Sequence, residues 1–166
     1  MELSAAAKWV EKCVRLAFDG VTLGCGMGLR ESDAHDDGAT PEAIAAARRA
    51  DEEQSWDLIS LEDLHRYGEF GWGYLDAESL RFHLPAFILA DLNDASDGDL
   101  PHRLIEPSRQ RDRLYSLLNL DQRMAVREFL LYTLSDSFYD PQQPMIRRGL
   151  DGLWAVERIA EASEPE

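Results

Sequence analysis

The sequence predicts an all-α protein, a compact bundle of about five to seven helices joined by glycine-rich and acidic loops. Apolar residues recur at helical spacing in several segments, and capping residues precede them. No series of segments alternates between apolar and polar residues as strands do. The 166 residues fit a single domain spanning 1–166, with 162–166 as a frayed tail.

Three helix starts are predicted in the first 65 residues. Residues 4–18 carry one apolar stripe behind Ser4, which can accept a hydrogen bond from the first turn. Thr40 before Pro41 marks a second start, and the Ser60/Asp63 pair has the spacing of a capping box. The second helix has a face of small residues that permits close approach of another element. These residues are Ala43, Ala46, Ala47 and Ala50.

The middle of the chain predicts one extended segment and one apolar helix. Three aromatic residues alternate with glycines, which suits a segment laid over a core: Phe70, Trp72 and Tyr74. Asp76 then caps a helix that Pro85 should break or kink near His83.

The last third predicts three further helices. Pro107 or Ser108 begins the first, and the turn at Asn119 precedes the second, whose apolar pattern is the strongest in the chain. Residues 139–144, which read YDPQQP, are predicted as a loop. Residues 145–161 are predicted as one final helix.

The net charge of −15 is concentrated in the middle of the chain. Residues 31–99 hold four arginines and eighteen acids, a net of 4 − 18 = −14, whereas residues 1–30 and 100–166 are nearly neutral. Such a surface repels nucleic acid and anionic membranes and favours a basic protein partner. No signal peptide and no apolar stretch long enough for a membrane helix is visible, so a cytoplasmic location is expected.

The stretch GCGMGLRESDAHDD, residues 24–37, raises a phosphate site and a metal site as alternatives. Its glycines are not followed by the lysine of a Walker loop, and its acids would repel phosphate. Four side chains could bind a divalent cation: Asp33, His35, Asp36 and Asp37. Their spacing fits no known metal motif, so a solvated, bent loop without any cofactor is the favoured interpretation.

Arg81 lies inside the acidic third and could serve structure or binding. The acids around Trp56 are its candidate partners, namely Asp51, Glu52 and Asp57. A structural ion pair is the favoured interpretation, because buried arginine–carboxylate pairs commonly fix neighbouring helices. The alternative is an anion-binding arginine in a small pocket with Trp56 and Trp72.

The chain as a whole resembles a family of uncharacterised bacterial proteins classed only as a domain of unknown function. Four blocks carry the resemblance, in order: FDGVTLGCGMGLRESDAHDD, ARRADEEQSWDLIS, YLDAESLRFHLPAFILADL and LNLDQRMAVREFLLYTL. They cover most of residues 18–134. The resemblance implies a shared fold and no particular reaction. The family has a tyrosine or similar ring where this chain has His83, which argues against His83 as acid, base or ligand.

These observations together predict an acidic binding or interaction module rather than an enzyme. The alternative is a small metal-dependent hydrolase or ligand-binding protein that uses the acidic stretch after the glycines.

Overall fold

The computed structural model describes residues 3–68, 75–93 and 99–161, and every regular element in these ranges is a helix. The predicted all-α class is therefore confirmed. Ten α-helices lie in the described ranges, more than the predicted five to seven. The prediction was too low because several short helices are separated by only a few residues, which periodicity alone does not resolve.

The helices of the first half are α1 Ala5–Ala17, α2 Leu29–Asp36, α3 Pro41–Ala50, α4 Leu61–Asp63 and α5 Ala77–Leu92. Those of the second half are α6 Leu100–Ile105, α7 Arg109–Leu117, α8 Leu120–Thr133, α9 Gln143–Asp151 and α10 Val156–Glu161. Short 3₁₀ helices span Trp56–Leu58 and Ser137–Gln142, and a π-turn, Leu64–Gly68, continues α4. None of the described helices is both long enough and apolar enough to cross a membrane.

The described residues group into two compact units, with the boundary inside α5. The first unit contains the residues before 20 and after 87, and the second unit contains residues 20–87. In the first unit α1 packs along α8. At Gly149 in α9, a Cβ atom would lie 2.7 Å from the side chain of Ile105, so only glycine permits this approach to α6. The Trp154 indole donates to the carbonyl of Leu104 at 3.0 Å.

The predicted helix starts are confirmed by their hydrogen bonds. In each, a side-chain oxygen accepts from a backbone N–H in the first turn, which satisfies one of the groups that a helix end leaves unpaired. The capping residues are Ser4, Thr40, Ser60, Asp76, Ser108 and Asn119.

Two predictions for the last third were wrong. The segment predicted as a loop at 139–144 contains most of the 3₁₀ helix Ser137–Gln142 and the start of α9. The single helix predicted for 145–161 is two helices, separated after Gly152. The backbone N–H of Trp154 donates to the carbonyl of Gly149 at 3.0 Å, so the chain turns back here, and the indole is buried.

Two predictions for the first half were also wrong, namely a loop after the glycines and a helix break at Pro85. The acidic residues after the glycines form α2 rather than a loop. Pro85 does not break α5, in which Leu84, Ala86 and Ile88 are buried and stabilise the helix across the missing N–H. The small-residue face of α3 is largely exposed, with Ala47 alone half-buried. The extended segment predicted at Phe70, Trp72 and Tyr74 lies outside the described residues.

Candidate functional site

The glycine run of residues 24–28 leads into α2, whose N-terminus is capped from elsewhere in the chain. Gly28 occupies the N-cap position and has no side chain to accept from the first turn. The carboxylate of Asp51, just after α3, takes this role. The Arg30 N–H donates to Oδ1 at 2.8 Å and the Glu31 N–H to Oδ2 at 3.1 Å. A Cβ at position 28 would lie 2.1 Å from Oδ2, so the carboxylate reaches the helix only past a glycine.

The next glycine back also serves close packing. A Cβ on Gly26 would lie 2.8 Å from the backbone nitrogen of Ser79 at the start of α5. The N–H of Met27 donates to the Ser79 hydroxyl, which in turn donates to Oδ1 of Asp76 at 2.8 Å. The run therefore fastens the start of α2 to the start of α5.

Arg48 of α3 holds the same run from the other side. Its guanidinium donates to the carbonyl of Gly26, and to the carbonyl of Gly24 at 3.3 Å. It also donates to the carboxylate of Glu31 at 2.8 Å and to that of Glu53 at 3.0 Å. One arginine thus pairs with two acids and satisfies two loop carbonyls, which fixes the backbone that precedes α2.

A pocket of about 210 Å³ opens in the second unit beside this capped helix end. Its apolar walls are Leu29, Ala50, Leu58 and Ile59. Its polar groups are Arg30, Asp51, Glu52, Asp63 and His83. The volume is below the roughly 300–1,000 Å³ of sites for drug-sized ligands, so the pocket suits a group of side-chain size.

His83 contributes a fixed, neutral imidazole to the pocket wall. The residue is only 2% exposed, and its ring lies edge-on to Phe82 with centroids 5.0 Å apart. Nδ1 lies 2.7 Å from the carbonyl oxygen of Ser79, which can only accept, so Nδ1 carries the proton and Nε2 is an acceptor. Burial lowers the pKa of the ring from 6.5 to about 4. Within the described ranges, the ring forms no hydrogen bond besides that to Ser79.

The charged groups give the pocket a negative field. One arginine stands against three carboxylates, a net of 1 − 3 = −2. Arg30 is engaged already, because it donates to Asp63 at 2.7 Å and lies over the Tyr67 ring at 5.5 Å from its centroid. Burial raises the pKa of the Asp51 carboxyl, against the hydrogen bonds from the two N–H groups at the start of α2. The pocket therefore favours a cation over an anion.

The residues predicted to surround Arg81 are placed differently. Asp51 caps α2, and Asp57 is exposed and accepts from the Ser55 hydroxyl. The Nε of Arg81 is buried without a hydrogen-bond partner in the described part of the chain, where none of the salt bridges includes this residue. Trp56 is buried, and Trp72 lies outside the described residues. A binding role stays a prediction for the four residues Arg81, Trp56, Trp72 and Asp57.

The predicted metal ligands lie on or beside α2. Asp33 is half-buried, whereas His35, Asp36 and Asp37 are exposed. Within residues 3–68, 75–93 and 99–161, no three histidine, cysteine or acidic side chains are arranged to hold a metal ion. The geometry of α2 therefore gives the metal alternative no support.

Comparison with known proteins identifies a family and no activity. Residues 7–155 match the family of unknown function DUF6714, and the chain belongs to that family. No curated protein and no solved structure matches the chain.

Proposed function

We propose that this DUF6714 member is a binding module whose second unit takes a basic, amphipathic segment of a partner protein. The observation that carries the proposal is a pair of exposed leucines set among acids. Leu58 is 68% exposed and Leu61 is 50% exposed, three residues apart between α3 and the π-turn. Each is adjacent in sequence to an exposed acid, Asp57 or Glu62.

Some acids of the second unit serve the fold, and others do not. Asp51 caps α2, Glu31 and Glu53 pair with Arg48, and Asp63 pairs with Arg30. The exposed acids whose side chains form no hydrogen bond or ion pair within the described ranges are Asp36, Asp37, Glu42, Glu62 and Glu78. This second group supplies the negative field available to a partner.

Two acids of this exposed group oppose the stability of their own helix. Asp36 ends α2 and Asp37 is its C-cap, where the partial negative charge of the helix dipole disfavours carboxylates. Stability therefore does not explain their position. A basic partner would be attracted to this charge, and Leu58 and Leu61 would provide apolar area to bury. The proposal includes no catalytic step.

Selection from a displayed library of random peptides tests the proposal. The wild-type protein should enrich peptides that combine arginine or lysine with leucine-like residues. Affinity should fall as ionic strength rises, because the Debye length shortens from about 30 Å at about 0.01 M to about 8 Å at about 0.15 M. Enrichment of acidic peptides, or of no class, would contradict the proposal.

Matched variants separate the two contributions. Leu58→Ser with Leu61→Ser should abolish binding of the selected peptides, whereas Leu16→Ser should not, although Leu16 in the first unit is 70% exposed. Neutralising Asp36, Asp37, Glu42 and Glu62 together should weaken binding and flatten its salt dependence. A control with the same charge change neutralises exposed acids of the first unit instead: Asp121, Asp151, Glu157 and Glu161. An equal loss of peptide affinity in both charge variants would show that the peptides respond to the total negative charge and not to the acids of the second unit.

A further inference from the structure

Resting on the proposed function, we propose that the pocket at Asp51, Glu52 and His83 receives one arginine side chain of the partner segment. Leu58 connects the two features, since it belongs to the docking surface, defined as the exposed pair Leu58 and Leu61, and also lines the pocket. A segment held on that surface therefore has the pocket within reach of a neighbouring side chain.

Size and shape select a side chain over a free cofactor. The volume of about 210 Å³ is too small for a nucleotide-sized ligand. The pocket is apolar at Leu58 and Ile59 and charged at Asp51 and Glu52. This division matches a side chain with an aliphatic stem and a cationic head, since arginine and lysine bury their stems against apolar surface while the head seeks polar partners.

Several acceptors of the pocket are left for a cationic ligand with several donors. Each Asp51 oxygen accepts one backbone N–H and keeps a second lone pair. Oε1 of Glu52 accepts from the N–H groups of Gln54 and Ser55 at 2.8 and 3.1 Å, which leaves Oε2 for a ligand. His83, which lines the pocket, has Nε2 as an additional acceptor. Guanidinium has five donors in one plane and loses its hydration more readily than an ammonium, so arginine is favoured over lysine.

The resident arginine does not occupy this role. Arg30 is drawn to Asp63 and to the ring of Tyr67. It neutralises one of the three carboxylates, and the net charge of −2 remains for a second cation.

Titration with N-acetyl-L-argininamide, followed by ¹H–¹⁵N spectra of the histidine rings, tests the proposal. The Nε2 signal of His83 should shift saturably, together with the backbone amides of Arg30 and Glu31, which Asp51 holds. The citrulline analogue has the same shape without charge and should leave these signals unmoved. A stronger effect of N-acetyl-L-lysinamide than of the arginine probe would overturn the assignment to a guanidinium.

Two variants check the contacts. His83→Phe keeps a ring beside Phe82 and removes the acceptor, so affinity for the arginine probe should fall about tenfold, as for loss of one hydrogen bond to a charged group. Glu52→Gln should weaken binding similarly, whereas Asp57→Asn should not, because Asp57 is exposed outside the pocket. Backbone amide spectra verify that each variant is folded.

The outcome is separable from that of the proposed function. If the arginine probe leaves His83 unmoved while selected peptides still bind through Leu58 and Leu61, the pocket assignment fails and the module remains. If neither probe nor peptide binds, both fail.

Discussion

Replacing His83 by glutamine should make the protein less sensitive to mild acid. Burial holds the pKa of the imidazole at about 4, below its ordinary 6.5. Between pH 6.5 and about 4 the imidazole of His83 becomes protonated in the unfolded chain but stays largely neutral in the folded protein. The contribution of the neutral ring is therefore fully present above pH 6.5 and is lost progressively as pH falls toward 4.

The size of this loss follows from the two pKa values. At about pH 5 the unfolded ring is almost fully protonated and the folded ring largely neutral, which corresponds to about 2 kcal/mol of lost stability relative to about pH 7.5. The ring is almost completely buried, so solvent does not screen this effect. Glutamine is polar and does not titrate, so the variant lacks this loss at any pH.

Urea unfolding of the wild type and His83→Gln at both pH values measures the effect. The wild type should lose about 2 kcal/mol more than the variant between about pH 7.5 and about pH 5. The carboxylates contribute to both proteins and cancel in the comparison, including Asp51, whose raised pKa acts in the opposite direction. His35→Gln controls for removal of an exposed imidazole. Equal losses in wild type and His83→Gln would refute the argument.

Two further predictions concern the capped start of α2 and are checked by urea unfolding at neutral pH. Gly28→Ala should cost about 2–4 kcal/mol, because the Cβ displaces the Asp51 cap and overpacks its carboxylate. Gly38→Ala is the control, because a Cβ there would contact nothing and only the φ of 63° is strained, so it should cost about 1 kcal/mol. Equal losses of stability in the two glycine variants would contradict the assigned cap. Arg48→Gln should cost about 2–3 kcal/mol, whereas exposed Arg49→Gln should cost less than about 0.5 kcal/mol. Similar values for the two arginines would show that the Arg48 contacts contribute little.

Helix starts could be predicted from sequence because they are local. Ser4, Thr40 and Asn119 each accept a hydrogen bond from a residue three positions later, so the signal lies within four consecutive residues. Helix ends and interruptions were harder. The division between α9 and α10 depends on the buried indole of Trp154, whose partner Leu104 is fifty residues away. Periodicity continues across that division, so it indicated a single helix.

The candidate site could not be predicted from the sequence either, because its contacts also join residues that are far apart along the chain. The cap of α2 comes from Asp51, twenty-one residues beyond Arg30, so Gly28 read as part of a loop rather than as the start of a helix. Arg48 could not be separated from Arg49 by type or position, although only the first contacts the glycine run. His83 lies on an apolar helix, and only the fold brings it to the wall of a pocket with Asp51.

The negative pocket also implies a link between binding and stability. Carboxylates withdrawn from water without a cation raise the free energy of the fold, and the raised pKa of Asp51 is one sign of this cost. Arg30 offsets the charge in part, which leaves a net of −2 at the capped end of α2. A guanidinium bound there would relieve that repulsion and attach to the residue that holds the helix start. A ligand that binds only the folded state stabilises that state. Arginine binding should therefore stabilise the hydrogen bonds between the start of α2 and Asp51.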